Sequence, residues 1–256
     1  IMSKLPKKYQ FIDLSDYGRF AGRWIANSLK ETWLTPIHVT SLFIVSGLLA
    51  IICILNGYFL LAAFFLILKS ILDAADGELS RLKNTPSYVG RYYDSIADII
   101  LNFLFLLTFW YISELSISYM LLAFFCIQLQ GTVYNFYYVI LRNSVNGDST
   151  SRVFEDKAPT AFYGEKQSTV NLFYKIYDIL YITFDKCMYL MDNKASLCKP
   201  FPKWFMTLVS FFGLGFQLLI MAIMLIFELE FFIIPFFIIS SIFIFIFIAI
   251  RKVFLH

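Results

Sequence analysis

DAADGELSRLKNTPSYVGRYYDSIAD, residues 73–98, carries four aspartates between two helix-length apolar stretches. Asp73 and Asp76 stand three apart and Asp94 and Asp98 four apart. On α-helices, each pair therefore projects from one face. A carboxylate at the centre of a bilayer costs about 2.5–3.5 kcal/mol, so a set of four calls for partners. Hard divalent cations such as Mg²⁺ are the natural ones, because they prefer oxygen ligands.

The rest of the chain says that the bilayer is its solvent. Hydrophobic residues make up 59% and charged residues 15% of the 256, which excludes an ordinary soluble domain. A net charge of +3 is too weak to argue for nucleic acid. The four cysteines form no CxxC pair and read as free thiols. Apolar runs predict an all-α integral membrane protein with six transmembrane helices, near 38–55, 58–80, 91–112, 117–141, 204–227 and 231–250. Pro235 is expected in the first turn of the last.

Lysine and arginine distribute by side. Six precede the first span, Arg81, Lys83 and Arg91 follow the second, nine follow the fourth and two end the chain. The three opposite connections carry only Glu114, Glu228 and Glu230, and Lys69 is left alone inside span two. The positive-inside rule then puts both termini and the aspartate cluster in the cytoplasm. Residues 1–36 form an N-terminal cytoplasmic segment in which Leu14, Tyr17, Phe20, Trp24 and Leu29 recur at helical spacing, predicting an amphipathic interfacial helix. Spans one to four occupy 37–141 and carry the aspartates, and 204–256 hold spans five and six. Between them, 142–203 is a polar, then amphipathic insert, expected as a cytoplasmic cap and not a seventh span, because Lys175, Asp178, Asp185 and Lys186 interrupt its apolar residues.

Asp73-x-x-Asp76-Gly77-x-x-Ser80-Arg81, eight residues, then Gly90-x-x-x-Asp94-x-x-x-Asp98 resembles the signature of the CDP-alcohol phosphotransferase family, DxxDGxxARx8-9GxxxDxxxD, with Ser80 at the alanine position. Thr35-Pro36-Ile37-His38-Val39-Thr40 resembles the family's TPNxVT element, with isoleucine in place of asparagine. The resemblance implies membrane enzymes of phospholipid synthesis and a homodimer. It also implies metal ions on the first three aspartates, the fourth as base, and cytidine near the glycine and arginine. Ser87 matches a position where relatives place a small hydroxyl residue on the nucleotide.

These residue types suit that chemistry. Transfer of a phosphoryl-linked group needs charge neutralisation on a diphosphate, which carboxylate-held metal ions supply. Asp73, Asp76 and Asp94, with Asp98 beside them, can converge from two helices onto Mg²⁺ or Mn²⁺, two ions being expected. Asp98, a turn deeper, is also suited to take a proton from an acceptor hydroxyl. Gly77 and the small Ser80 let a nucleotide approach, Gly90 opens the following helix, and Arg81 suits a phosphate. His38 is the residue available to stand in for the missing asparagine.

The expected reaction is transfer from a CDP-linked donor to an alcohol acceptor with release of CMP. CDP-diacylglycerol is the favoured donor; transfer of a CDP-linked choline- or ethanolamine-type headgroup to diacylglycerol is the alternative. A cation or proton transporter with an aspartate relay is a reading from another class, disfavoured because the intramembrane acids lie in one stretch and no repeat is evident. A purely structural ion-pair network would have to draw on Lys69, Arg81, Lys83 and Arg91.

Overall fold

In a computed structural model, residues 5–145, 157–198 and 200–255 are described, and they form ten α-helices with short 3₁₀ turns and no strand. The other residues, including 146–156 of the insert, lie outside the described part.

Helix α1 (Arg19–Leu29) packs across α3 (Phe59–Lys83), and the face it buries is made of small residues. Gly22 and Ala26 are buried, and a Cβ on Gly22 would come within 3.0 Å of the Ala75 amide nitrogen. Gly18, one turn earlier, lies as tightly on Ile71. By contrast Phe20 and Trp24 are 87% and 71% exposed. The aromatic stripe thus points away from the bundle, because a small-xxx-small surface lets backbones approach more closely than aromatic rings allow.

Helix α2 (Pro36–Leu55) opens with Pro36 at its first position. His38 caps it: its Nδ1 accepts from the Thr35 amide at 3.1 Å and meets the Thr35 hydroxyl at 2.7 Å. Three residues separate α2 from α3, and α3 stops at Asn84, which adopts φ 52°. Four residues separate α3 from helix α4 (Tyr88–Ser113), whose N-cap is Ser87. Such short connections make α2, α3 and α4 antiparallel neighbours. They share one apolar core, which includes Phe43, Leu66, Leu101 and Phe105, together with α5 (Ile117–Ser144).

The insert's helix is α6 (Gln167–Asp192), which packs along α4 and α5. Its far end is tied down by charge: Arg251 pairs with the buried Asp192, to which the Tyr137 hydroxyl donates at 2.7 Å.

The fifth apolar run is not one straight helix. Helix α7 (Lys203–Val209) and its 3₁₀ extension to Phe212 meet α8 (Leu214–Ile226) at 54°. The N-terminal turn around Ser15 fills the break: a Cβ on Gly213 or Gly215 would overlap Ser15, and the Ser210 hydroxyl accepts from the Leu14 amide at 2.9 Å. The last run is α9 (Ile233–Ser240) and α10 (Ile242–Phe254), with Pro235 in the first turn. Gln130 stitches α5 to that junction, donating to the Phe237 carbonyl, Ser240 and Ser241 at 2.9–3.1 Å.

Among the described residues, four helices are long and apolar enough to cross a membrane: Pro36–Leu55, Tyr88–Ser113, Ile117–Ser144 and Glu230–Phe254, with a fifth if the bent pair is one span. Helix α3 is 25 residues long but is not among them, since Lys69, Asp73 and Asp76 dilute its apolar stretch.

Candidate active site

The α3–α4 hairpin carries the site. On α3, Lys69, Asp73 and Asp76 follow at helical spacing on one face; on α4, Asp94 and Asp98 do the same. Asp73, Asp76 and Asp94 each bring an oxygen to within 4.8 Å of one another. Three carboxylates that close repel unless a cation joins them. Asp94 Oδ1 is buried and has no hydrogen-bond partner among the described residues, a second sign that this oxygen is set for a metal. The hard oxygen set suits Mg²⁺ or Mn²⁺.

Asp98 falls outside that trio. Its Oδ1 is bound to the ammonium of Lys69, which also stands 3.7 Å from Asp73 Oδ2 and 4.5 Å from the centroid of the Phe43 ring. Asp76 is oriented by Thr40, whose hydroxyl donates to Oδ2 at 2.6 Å. Thr40 belongs to the 35–40 element, so that element reaches the site through its threonine. His38 is occupied in capping instead.

The remaining expected residues lie where α3 turns into α4. Arg81 folds back over Gly77, where a Cβ would meet its guanidinium at 3.5 Å, and it pairs with Glu78 at 3.3 Å. Arg19 and Arg23 of α1 reach the same Glu78 carboxylate, at 3.9 and 3.4 Å. The Ser80 hydroxyl donates to the Thr85 carbonyl at 3.1 Å and so braces the turn. Lys83 donates to the carbonyls of Thr32 and Leu34, both at 2.7 Å, and ties the turn to the segment before α2. Ser87 Oγ accepts from the Gly90 amide at 2.8 Å, and a Cβ on Gly90 would press on Ser87.

Contacts from three residues of the insert have no counterpart in the sequence reading. Glu165 accepts from Ser87 Oγ at 2.7 Å and from the amides of Tyr88 and Val89 at 3.2 and 2.9 Å, so a carboxylate covers the N-terminus of α4. Phe162 stacks on Tyr88 with ring centroids 4.4 Å apart. Further along, the Tyr181 hydroxyl of α6 donates to the Ser95 carbonyl at 2.7 Å. Burial first, then the nearby Asp98 carboxylate, holds the Tyr181 phenol well above its ordinary pKa, so it stays protonated.

Residues 33–229 match the CDP-alcohol phosphatidyltransferase family. The chain belongs to that family. The matched region holds the whole α3–α4 hairpin as well as the insert. Among curated proteins, CDP-diacylglycerol–serine O-phosphatidyltransferase of Helicobacter pylori strain 26695 is 33% identical over 72 residues, 28% of this chain and 30% of that enzyme. Its counterpart from strain J99 is 32% identical over the same 72-residue length and the same shares. The chain thus aligns with under a third of the length of either relative. No solved structure matches. The chain's several apolar helices fit a membrane member of that family.

Proposed function

We propose that this protein is a divalent-metal-dependent CDP-alcohol phosphotransferase that moves a phosphatidyl group from CDP-diacylglycerol to an alcohol and releases CMP. The observation that carries this reading is the convergence of Asp73, Asp76 and Asp94 within 4.8 Å while Asp98, one turn deeper on α4, is held apart. Mg²⁺ or Mn²⁺ ions on those three carboxylates would neutralise the donor diphosphate. Arg81, with Gly77 beneath it, faces the nucleotide side, and Ser87 and Gly90 form the opposing rim. Asp98 takes the proton of the acceptor hydroxyl. That oxygen bonds to the β-phosphorus, the bond to the CMP oxygen breaks, and CMP leaves with the electron pair. Both curated relatives are named for CDP-diacylglycerol and serine, so serine is the first acceptor to offer.

The topology belongs to the same proposal. Helix α3 is 25 residues, about 37 Å at 1.5 Å per residue, and lies between two membrane-crossing neighbours on short loops. It therefore crosses too, giving six spans if the bent α7–α8 pair crosses once. Lysines and arginines then put both termini and the metal end of the hairpin in the cytoplasm, with the exposed Phe20 and Trp24 of α1 seated among headgroups. The family reading also carries a homodimer, which cross-linking in membranes checks.

The test is CMP release by the purified chain from CDP-diacylglycerol against a panel of alcohols, with and without chelator. Release that requires both metal and alcohol is expected. CMP formed from CDP-choline or CDP-ethanolamine with diacylglycerol, and from no CDP-diacylglycerol reaction, would move the donor to the other class; no CMP from any donor would end the reading. For orientation, a lone cysteine at exposed Thr85 in a cysteine-free background should escape an impermeant thiol reagent in intact cells, and one at Ser116 should react.

A further inference from the structure

Lys69 is the one basic residue of the spans that stands away from a span end, and it is 1% exposed. An unpaired ammonium there would cost several kcal/mol, so its partners define what it is for. Lys69 lies one turn below Asp73 on α3, as Asp98 lies one turn below Asp94 on α4. The hairpin therefore holds two layers: Asp73, Asp76 and Asp94 above, Lys69 and Asp98 below. Phe43 closes the lower layer, its ring 4.5 Å from the ammonium. A carboxylate engaged by a fixed ammonium has one oxygen committed and its plane set. Asp98 is not among the carboxylates that converge within 4.8 Å of one another, and its second oxygen remains to accept a proton.

The geometry points to Lys69 as a positioning residue that keeps Asp98 out of the metal-ligand set and aims it at the acceptor hydroxyl. This rests on the phosphotransferase reading above, and it divides the four aspartates into three ligands and one base by a physical device rather than by their order in the chain. The acceptor end of the site thus sits on the Lys69–Asp98 pair, and the donor end on an acidic trio that the same ammonium touches only at Asp73, 3.7 Å away.

The double variant Lys69→Met with Asp98→Asn removes both charges together, leaving net charge unchanged and no orphaned ion in the core. In nanodiscs, its Mn²⁺ affinity, read by the loss of free-ion electron paramagnetic resonance signal, should stay within about twofold of wild type. Were Asp98 a ligand, affinity should fall by more than the roughly 10–100-fold that loss of an outer-shell partner costs, which would overturn the assignment. Lys69→Met alone should lower kcat about 100-fold, as a misplaced reacting group does, with the KM for CDP-diacylglycerol unchanged. Should that variant not fold, Lys69→Arg answers the same question, since the longer planar guanidinium keeps the charge and shifts Asp98: kcat falls, while donor KM and Mn²⁺ affinity hold. An unaltered kcat in whichever of the two folds would show that Lys69 only balances charge. Wild-type CMP release is measured first; its absence refutes the phosphotransferase reading, whereas an active wild type with an indifferent Lys69 refutes this inference alone.

Discussion

Replacing Glu165 by glutamine should loosen the strap that the insert lays over the α3–α4 turn. Oε1 accepts from Ser87 Oγ at 2.7 Å and Val89 N at 2.9 Å; Oε2 accepts from Tyr88 N at 3.2 Å and Phe162 N at 3.1 Å. The amide oxygen can keep one pair, but the amide nitrogen then faces two N–H donors. Each lost bond to a charged, partly buried acceptor is worth about 1 kcal/mol net, so the loss is about 2 kcal/mol, or about thirtyfold in the docking equilibrium. The missing charge at the α4 N-terminus adds about 0.5 kcal/mol. Hydrogen exchange of the Tyr88 and Val89 amides should accelerate by about 60-fold, the two losses together being about 2.5 kcal/mol. Ser87 sits on the expected nucleotide rim, so the KM for the CDP-linked donor should rise while the acceptor KM stays constant. Unchanged amide protection would mean that the carboxylate does not cap α4. A rise in acceptor KM alone would move the insert's influence to the other substrate.

Asp98→Asn should cut kcat about 10²–10⁴-fold and leave donor KM nearly constant, because a base is needed for reaction and not for donor capture; near-normal turnover would place the base elsewhere. Asp94→Asn should raise the Mg²⁺ needed for half-maximal rate together with donor KM, and a loss that ignores Mg²⁺ concentration would count against the trio. Gly22→Leu should destabilise the fold by about 1–3 kcal/mol in detergent melting, since even a Cβ meets Ala75 N at 3.0 Å and Ala74 Cβ at 3.1 Å; an unchanged transition would show that α1 is not docked there. Arg251→Met strands the buried Asp192 carboxylate and should cost about 3–5 kcal/mol, with Asp192→Leu added to it restoring most of the loss.

The hairpin was legible in the sequence because its chemistry is local. Asp73 to Asp98 lie on two consecutive helices joined by four residues, so periodicity alone brings one face to the other. Lys69 was visible as the lone cation of span two, yet only the packing of α3 on α4 chose Asp98 over the other acids as its closest partner. Thr40 stood in a recognisable element, but its bond to Asp76 spans 36 residues and needs the α2–α3 crossing to be known. The aromatic face of α1 was legible as one that avoids water, but the face that packs on α3 was not. Hydrophobic periodicity reports what avoids water, and in a membrane protein Phe20 and Trp24 can do so outside the bundle, while Gly18, Gly22 and Ala26 do the packing. The break at Gly213 had no signal beyond the glycine itself, because its cause is Ser15, some two hundred residues earlier.

Glu165 marks the boundary of what pattern can reach. A glutamate in a polar insert reads as a solvated charge until something shows that its carboxylate meets three donors at the N-terminus of a helix 77 residues before it. The anion-binding capacity of that helix start was inherent in its unpaired amides; which anion would fill it was not. Here the chain fills it from its own insert, and so links a segment outside the aspartate motif to Ser87 and Gly90 within the motif's span. Variation in the insert can therefore alter the proposed donor rim without changing any residue of the motif.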